Sequence, residues 1–130
     1  MLNGNKAISI VLPCFNEGPR IYRNIEKIYD FLVSKNISFE IIAVNDGSLD
    51  NTAKELERIK MKIPIHIINN AQNEGKGAAV KKGILASQNE IVMFLDADLG
   101  IPIEELEKFL EEIGNGNDLV IASRFVPGLK

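Results

Sequence analysis

The chain has 130 residues, of which 45% are apolar and 25% are charged, and its formal net charge is -3. These values predict one soluble globular domain with a substantial core, and they give no electrostatic reason to expect nucleic-acid binding. One cysteine and one histidine exclude an internal disulfide and a Cys/His zinc cluster. No apolar run reaches the roughly 20 residues needed to cross a membrane. Residues 1–6 carry no secretory signal core, so we expect a cytoplasmic protein.

Strand and helix patterns alternate along the whole chain. Apolar runs predict strands over 6–12, 39–44, 64–68, 91–95 and 118–123. Apolar residues at helical spacing predict helices over 19–34, 51–61, 77–87 and 103–113. The helix over 77–87 carries small side chains, which predict close packing on a sheet or close approach to a ligand. This order predicts right-handed βαβ units, a mostly parallel sheet and an α/β fold.

The stretch over 91–98 (IVMFLDAD) combines five apolar residues with two aspartates separated by an alanine. The apolar run predicts a strand covered on both faces, as at the centre of a parallel sheet. Alternate residues of an extended segment point to the same side, so Asp96 and Asp98 can face one ligand beyond the carboxyl end of the strand. Two carboxylates suit Mg²⁺ or Mn²⁺ together with the phosphates of a nucleotide. The alternative is that one aspartate caps the next helix and the other is solvated.

Three common α/β proteins fit the loops poorly. A dinucleotide-binding Rossmann domain needs Gly-x-Gly-x-x-Gly after the first strand, where residues 13–18 read PCFNEG. A P-loop needs Gly-Lys followed by Ser or Thr, and residues 75–78 read GKGA. A phosphoreceiver domain needs an acidic pair after strand one, for which Asn16 and Glu17 are the nearest substitute.

Five segments at strand ends carry a more specific pattern: 9–17 (SIVLPCFNE), 44–52 (VNDGSLDNT), 73–83 (NEGKGAAVKKG), 96–99 (DADL) with Pro102, and 123–125 (SRF). In this order they resemble family 2 glycosyltransferases of the GT-A fold, and within that family the dolichol-phosphate mannose or glucose synthases. The resemblance covers 9–125. It implies a three-layer, Rossmann-like nucleotide-sugar-binding domain with a mostly parallel sheet over 1–130.

The same resemblance implies a nucleotide-sugar site. Asp46 would recognise the nucleotide, with a turn residue as its alternative. Pro13, Phe15 and Glu17 would line the base and ribose pocket, although Phe15 could equally be core. Lys76, between two glycines, would meet the ribose or diphosphate, unless it is a solvated surface lysine.

The remaining implied roles concern the metal and the phosphates. Asp98 is predicted to be the main metal ligand, and Asp96 to be shared between the metal and the ribose or sugar, which makes this pair the catalytic carboxylates. Arg124 would bind phosphate oxygens, with an ordinary surface arginine as the alternative. Asp50 is predicted to cap a helix.

The implied reaction is the transfer of a hexose from a nucleoside-diphosphate sugar, such as UDP-glucose or GDP-mannose, with Mg²⁺ or Mn²⁺ on the leaving diphosphate. A polyprenyl phosphate is the implied acceptor, and full-length relatives would work at the cytoplasmic face of a membrane. Gly100 replaces a glutamine of the mannose synthases, so glucose and other donors stay open.

Relatives of this kind continue well beyond the position of Arg124, so we expect the acceptor-binding part to be absent and self-association to be possible. The rival hypothesis is a nucleotide- and metal-binding module, or an inactive fragment, without turnover by itself. A nucleotidyltransferase resembles the chain less, because the glycine- and arginine-rich loop of that class is missing.

Overall fold

The computed structural model describes residues 7–100 and 105–114, with the side chains of the last helix described as far as 111. Strands and helices alternate throughout these residues. The strands are β1 (Ala7–Cys14), β2 (Ser38–Asp46), β3 (His66–Asn70) and β4 (Ile91–Phe94). The helices are α1 (Gly18–Ser34), α2 (Thr52–Lys60), α3 (Lys76–Ala86) and α4 (Leu106–Gly114). The predicted alternation is therefore confirmed over the described residues, while the strand predicted over 118–123 lies outside them.

The four strands form one parallel sheet in the order β3-β2-β1-β4. The chain first adds strands on one side of β1 and then returns to add β4 on the other side. This reversal creates a topological switch point between β1 and β4, and a crevice opens there beyond the carboxyl ends of the strands.

Helices cover both faces of this sheet, which makes the predicted three layers. Alternate residues of β1 point to opposite faces: Ile10 and Leu12 join the larger core with α1, α2 and α4, whereas Val11 packs toward α3. The small residues of α3 permit a close approach, since a Cβ on Gly83 would come within 2.3 Å of Val11 Cγ1. The prediction of close packing along this helix is confirmed.

Two strand boundaries differ from the predicted ones. We expected Pro13 to end the first strand, but β1 continues through Pro13, which lies opposite Val44 of β2. The β1–β4 pairing stops at Val11 and Phe94, so at Pro13 only one neighbouring strand remains and the missing N–H is tolerated. The strand predicted over 64–68 instead spans 66–70, because the polar pair Asn69 and Asn70 continues the ladder with β2.

The prediction that β4 is covered on both faces is confirmed, since Ile91 and Met93 join the larger core while Val92 and Phe94 pack against the smaller one, but a central position in the sheet is not seen within residues 7–100 and 105–114. Among the described residues β4 lies at an edge of the sheet, next to β1, and Val92 and Phe94 are only partly buried. The longer continuous buried runs belong to β1, over Ile8 to Leu12, and to β2, over Ile41 to Asp46. Within the described part of the chain, no helix is long and apolar enough to cross a membrane.

Candidate functional site

A cleft of about 580 Å³ lies at the crevice between β1 and β4. It collects every predicted site residue that the structure describes: Pro13, Phe15, Glu17, Asp46, Lys76, Asp96 and Asp98. Cys14, Asn73, Gly75, Ala79 and Ala97 complete its lining. Arg124 lies outside the described residues. Four separate strand ends and one helix therefore bring these side chains to a single concave site, as the resemblance implied.

The two aspartates of the Asp-Ala-Asp segment stand on the wall that follows β4. Burial alternates from Ile91 to Asp98, so that Leu95 and Ala97 point into the core while Asp96 and Asp98 are partly exposed. Both carboxylates line the same cleft, Asp96 at the end of the extended segment and Asp98 within the turn that follows it.

A tight turn closes this segment. The N–H of Leu99 donates to the carbonyl of Asp96 at 2.9 Å, and Leu99 has a positive φ of 51°. The N–H of Gly100 donates to Asp98 Oδ1 at 2.9 Å, so at least one oxygen of Asp98 already accepts a bond within its own loop.

The donor set of this wall fits a divalent cation whose coordination a ligand completes. Within 7–100 and 105–111, His, Cys, Asp and Glu side chains do not gather in a group of three or more that could hold a metal ion. Asp96 and Asp98 supply two carboxylates, and magnesium sites with one or two protein carboxylates are completed by substrate phosphates and water. This arrangement therefore suits a metal that enters together with a diphosphate.

Asp46 lies at the end of β2 and is only 3% exposed. Its Oδ1 accepts from the side-chain amide of Asn70 and from the N–H of Glu74, at 2.9 and 2.8 Å. Its Oδ2 accepts from the side-chain amide of Asn73 and from the N–H of Gly75, at 3.1 and 2.9 Å. Asp46 thus holds the loop between β3 and α3 in place, and this loop forms one side of the cleft.

These contacts also determine the ionisation of Asp46. Burial by itself would raise the pKa of this carboxyl. Three hydrogen bonds and one charge together outweigh burial, so the pKa of Asp46 lies below the ordinary aspartate value. The hydrogen bonds come from the N–H of Glu74, the amide of Asn70 and the N–H of Gly75, and the charge is that of Lys82. Asp46 is therefore a buried anion at neutral pH.

Lys76 begins α3 and reaches across the cleft to Asp96, where Nζ and Oδ1 are 2.5 Å apart. Both side chains keep solvent contact, with 58% of Lys76 and 26% of Asp96 exposed. A Cβ on either flanking glycine, Gly75 or Gly77, would meet nothing within 4 Å, so the backbone here is open to a ligand. The ammonium group of Lys76 is thus exposed at the mouth of the cleft.

The opposite side of the cleft is formed by the segment after β1. Phe15 is 44% exposed, so the alternative that it belongs to the core is wrong. Glu17 Oε1 accepts from the Arg20 guanidinium at 2.7 Å, which holds the carboxylate near the start of α1. Burial, with a smaller contribution from the charge of Glu17, raises the pKa of the Cys14 thiol to about 12. A thiol of this kind stays protonated and is a poor nucleophile.

Hydrogen bonds between loops brace this side. Asn16, with a φ of 53°, accepts from the N–H of Leu49 and donates its own N–H to Ser48 Oγ. Asp50 accepts from the N–H of Gly18 and the N–H of Thr52, so it joins the starts of α1 and α2. Asp50 is thus not the N-cap residue of α2, which is Asn51, but its carboxylate binds the N–H of the first residue of each helix and joins the two loops.

Sequence reasoning missed four asparagines that organise the site: Asn16, Asn24, Asn70 and Asn73. Asn24 offered the clearest signal, because it is a polar residue among the buried positions of α1. Its side-chain amide donates to the carbonyl of Ala97 at 2.9 Å. Asn70 and Asn73 read as ordinary loop residues, since nothing in the sequence pairs them with Asp46.

Comparison with protein families and curated proteins gives a consistent result. The model of glycosyl transferase family 2 matches residues 9–130. A dolichol-phosphate mannosyltransferase of Pyrococcus furiosus is 31% identical over 123 residues, which are 95% of this chain and 34% of that protein. A dolichyl-phosphate beta-glucosyltransferase of Trichomonas vaginalis is 38% identical over 89% of this chain and 38% of its own length. The chain spans about a third of the length of these two curated relatives.

Solved structures agree on the fold. A mannosyltransferase from Pyrobaculum calidifontis, in complex with GDP-Man and Mn²⁺, matches with a TM-score of 0.63 and 24% identity over 74% of this chain and 29% of that one. Glucosyl-3-phosphoglycerate synthase from Mycobacterium tuberculosis, with Mn²⁺ and UDP, matches with a TM-score of 0.57 and 26% identity over 72% of this chain and 34% of that one. The predicted GT-A fold is confirmed by these neighbours. The chain belongs to glycosyl transferase family 2.

Proposed function

We propose that this chain is the donor-binding part of a hexosyltransferase that uses a nucleoside-diphosphate sugar and a divalent cation. The observation that carries the proposal is the cleft itself, where all seven described residues expected to hold the donor line one cavity. The P. calidifontis and M. tuberculosis structures, whose folds this chain shares, hold Mn²⁺ with GDP-Man or UDP. A polyprenyl phosphate is the proposed acceptor, in keeping with the dolichol-phosphate relatives.

In this proposal the residues at the ends of β1 and β2 bind the nucleoside part of the donor, and the residues after β4 bind its diphosphate. Phe15 offers an exposed aromatic face for a base, with Pro13 and Glu17 beside it for the base and ribose. Asp46 stands at the back of the cleft, within reach of the nucleotide and already anchored to the loop before α3. Base-aromatic stacking does not discriminate strongly between bases, so uridine and guanosine donors both remain candidates.

The diphosphate would lie toward Asp96 and Asp98, with Lys76 and Arg124 as its cationic partners. The chemical step is displacement at the anomeric carbon of the sugar, with the nucleoside diphosphate as leaving group. A divalent cation, Mg²⁺ or Mn²⁺, would neutralise the charge that develops on this leaving group. Because a phosphate acceptor is already an anion, the reaction needs no carboxylate base to activate the acceptor.

Calorimetric titration tests the proposal. UDP, GDP, UDP-glucose and GDP-mannose are each titrated with and without Mn²⁺ into the wild-type chain, the Asp98→Ala variant and the Asp30→Ala variant. Asp30 is an exposed residue of α1 outside the cleft, so its variant is the matched control for loss of a carboxylate. We expect metal-dependent binding of one nucleotide series in the wild type and in the control, and its loss in Asp98→Ala. Absence of binding to all four ligands would contradict the proposal.

The second candidate function is a nucleotide- and metal-binding module without turnover, which the same cleft supports because binding needs only the residues that line it. Release of UDP or GDP from a bound sugar nucleotide, measured with and without a short-chain polyprenyl phosphate, separates the two functions. Acceptor-dependent release supports the transferase, and binding without release supports the module.

A further inference from the structure

We propose that Asn24, on α1, is a positioning residue that sets the geometry of the Asp-Ala-Asp turn for metal binding. The inference rests on the proposed metal role of Asp96 and Asp98. Its structural basis is the hydrogen bond from Asn24 Nδ2 to the carbonyl oxygen of Ala97, which spans 73 positions in the sequence at 2.9 Å. The bond joins the helix that follows β1 directly to the residue between the two carboxylates.

The position of Asn24 is unusual for its residue type. Asparagine is a poor helix former because its side chain competes for backbone hydrogen bonds, and it is usually exposed. Asn24 nevertheless lies inside a 17-residue helix and is only 7% exposed, next to the fully buried Ile25. A leucine would be favoured here by both helix propensity and burial. An asparagine at this position therefore serves the contact that it makes.

The bonded carbonyl is the one that decides the shape of the turn. Asp96 to Leu99 form a four-residue turn, closed by the bond from the N–H of Leu99 to the carbonyl of Asp96. Ala97 and Asp98 are its central residues, and the peptide between them carries the carbonyl of Ala97. Type I and type II turns differ mainly by a flip of this central peptide, and a type II turn requires a positive φ at the third residue. Asp98 is not one of the residues with positive φ, which fits a type I arrangement.

Asn24 consequently holds the peptide whose rotation would redirect the backbone of Asp98. Ala97 itself is packed in the core, so the turn is anchored on the inner side by this methyl group and by the amide of Asn24. The outer side carries the partly exposed carboxylates of Asp96 and Asp98. Support of this kind matters for metal sites, because groups behind the ligands that fix their orientation typically contribute about 10–100-fold to affinity.

The test compares Asn24→Leu and Asn24→Asp with the wild type and with Asp30→Leu, which places the same apolar side chain on the exposed face of α1. Leucine removes the donor but suits a buried helix position. Aspartate keeps the shape, lacks the donor when ionised, and adds a negative charge that by itself would attract a cation. The first measurement is amide hydrogen exchange of Leu99 without metal. The second is Mn²⁺ affinity in the presence of UDP or GDP, measured by electron paramagnetic resonance.

We expect Leu99 exchange to become faster in both Asn24 variants, and Mn²⁺ affinity to fall by about tenfold in both. Asp30→Leu leaves both values within twofold of the wild type. The loss in Asn24→Asp is the distinctive result, since a purely electrostatic effect would strengthen Mn²⁺ binding. Thermal unfolding identifies a variant that is merely unfolded, and Asn24→Leu is expected to unfold cooperatively at a somewhat lower temperature than the wild type, because the buried carbonyl of Ala97 loses its donor.

Folded Asn24 variants with wild-type Leu99 exchange and wild-type Mn²⁺ affinity would overturn the inference while leaving the proposed function intact. A wild-type chain that binds no Mn²⁺ with either nucleotide would overturn the proposed function and, with it, the metal role of the turn. The exchange measurement still decides in that case whether Asn24 holds the peptide. The two failures are thus distinguishable.

Discussion

The cleft has two kinds of aspartate in its lining, and they are used in opposite ways. Asp46 is buried and accepts four hydrogen bonds from Asn70, Asn73 and two backbone N–H groups. Asp96 and Asp98 remain partly exposed on the opposite wall. The same side chain is a structural anchor where buried donors surround it and a candidate metal ligand where it keeps solvent contact in the cleft. The difference predicts that the two sites respond differently to the same substitution.

Asp46→Ala is expected to have the largest effect on folding. The change leaves several buried donors without an acceptor, and each such group costs about 1–3 kcal/mol, so we expect the free energy of unfolding to fall by about 3 kcal/mol. Nucleotide binding should fall with it, because the loop over 70–75 loses its anchor. Urea unfolding at pH 7 measures the first effect and calorimetry the second. Unfolding within 0.5 kcal/mol of the wild type, the range of ordinary surface substitutions, would contradict the anchoring role.

Asp98→Ala is expected to weaken ligand binding much more than folding. Its unfolding free energy should fall by only about 1 kcal/mol, the value of one hydrogen bond such as that from the N–H of Gly100. Metal-dependent nucleotide affinity should fall by about 100-fold, since a charged ligand of the cation is removed. Measuring both quantities on the same preparation sharpens the comparison with Asp46→Ala. A large loss of stability in Asp98→Ala would place Asp98 in the same structural class as Asp46.

Lys76→Met probes the contact that spans the mouth of the cleft. Without metal, Lys76 is bound to Asp96, so the neutral variant should bind Mn²⁺ alone up to about fivefold more tightly, the value of an exposed ion pair. With Mn²⁺ saturating, nucleotide affinity should fall by about tenfold, because a charged donor to the diphosphate is lost. Lys81→Met, on an exposed position of the same helix, is the control. Parallel changes in both affinities would show that Lys76 does not exchange Asp96 for a phosphate.

The dependence of stability on pH is the smallest and most selective test. The pKa of Asp46 lies below the ordinary value of about 3.8 in the folded chain, so near and below that value the unfolded state binds more protons than the folded state. The stabilisation is therefore fully present well above pH 4 and is lost as the pH falls toward and through the folded pKa. Urea unfolding from pH 6 to pH 3 should give a shallower decline for Asp46→Ala than for the wild type. Identical slopes would mean that other carboxylates dominate this pH range.

Much of the site was predictable because its residue types and spacing carry chemistry of their own. The alternation that predicts Asp96 and Asp98 on one side is a property of extended backbone, and both residues line the cleft although Asp98 lies in the turn after the extended segment. Phe15 could not be classified in advance, since an apolar ring suits a core as well as a ligand. Its exposure depends on how the loop after β1 leaves the sheet. Asn24 was missed because its hydrogen-bond partner, the carbonyl of Ala97, lies 73 positions away in the sequence.

Residue periodicity and the order of the segments were enough to predict an α/β fold with a parallel sheet and ligand-facing loops, because periods of two and 3.6 residues are local properties. Periodicity could not predict that β4 pairs with the edge of β1 opposite to β2. This placement opens the crevice. Periodicity also could not distinguish Asp46 from Asp98, which are both aspartates near the carboxyl ends of apolar strands, β2 and β4. Only the fold brings Asn70, Asn73 and the N–H groups of Glu74 and Gly75 around Asp46, because these hydrogen bonds join segments that are distant in the sequence.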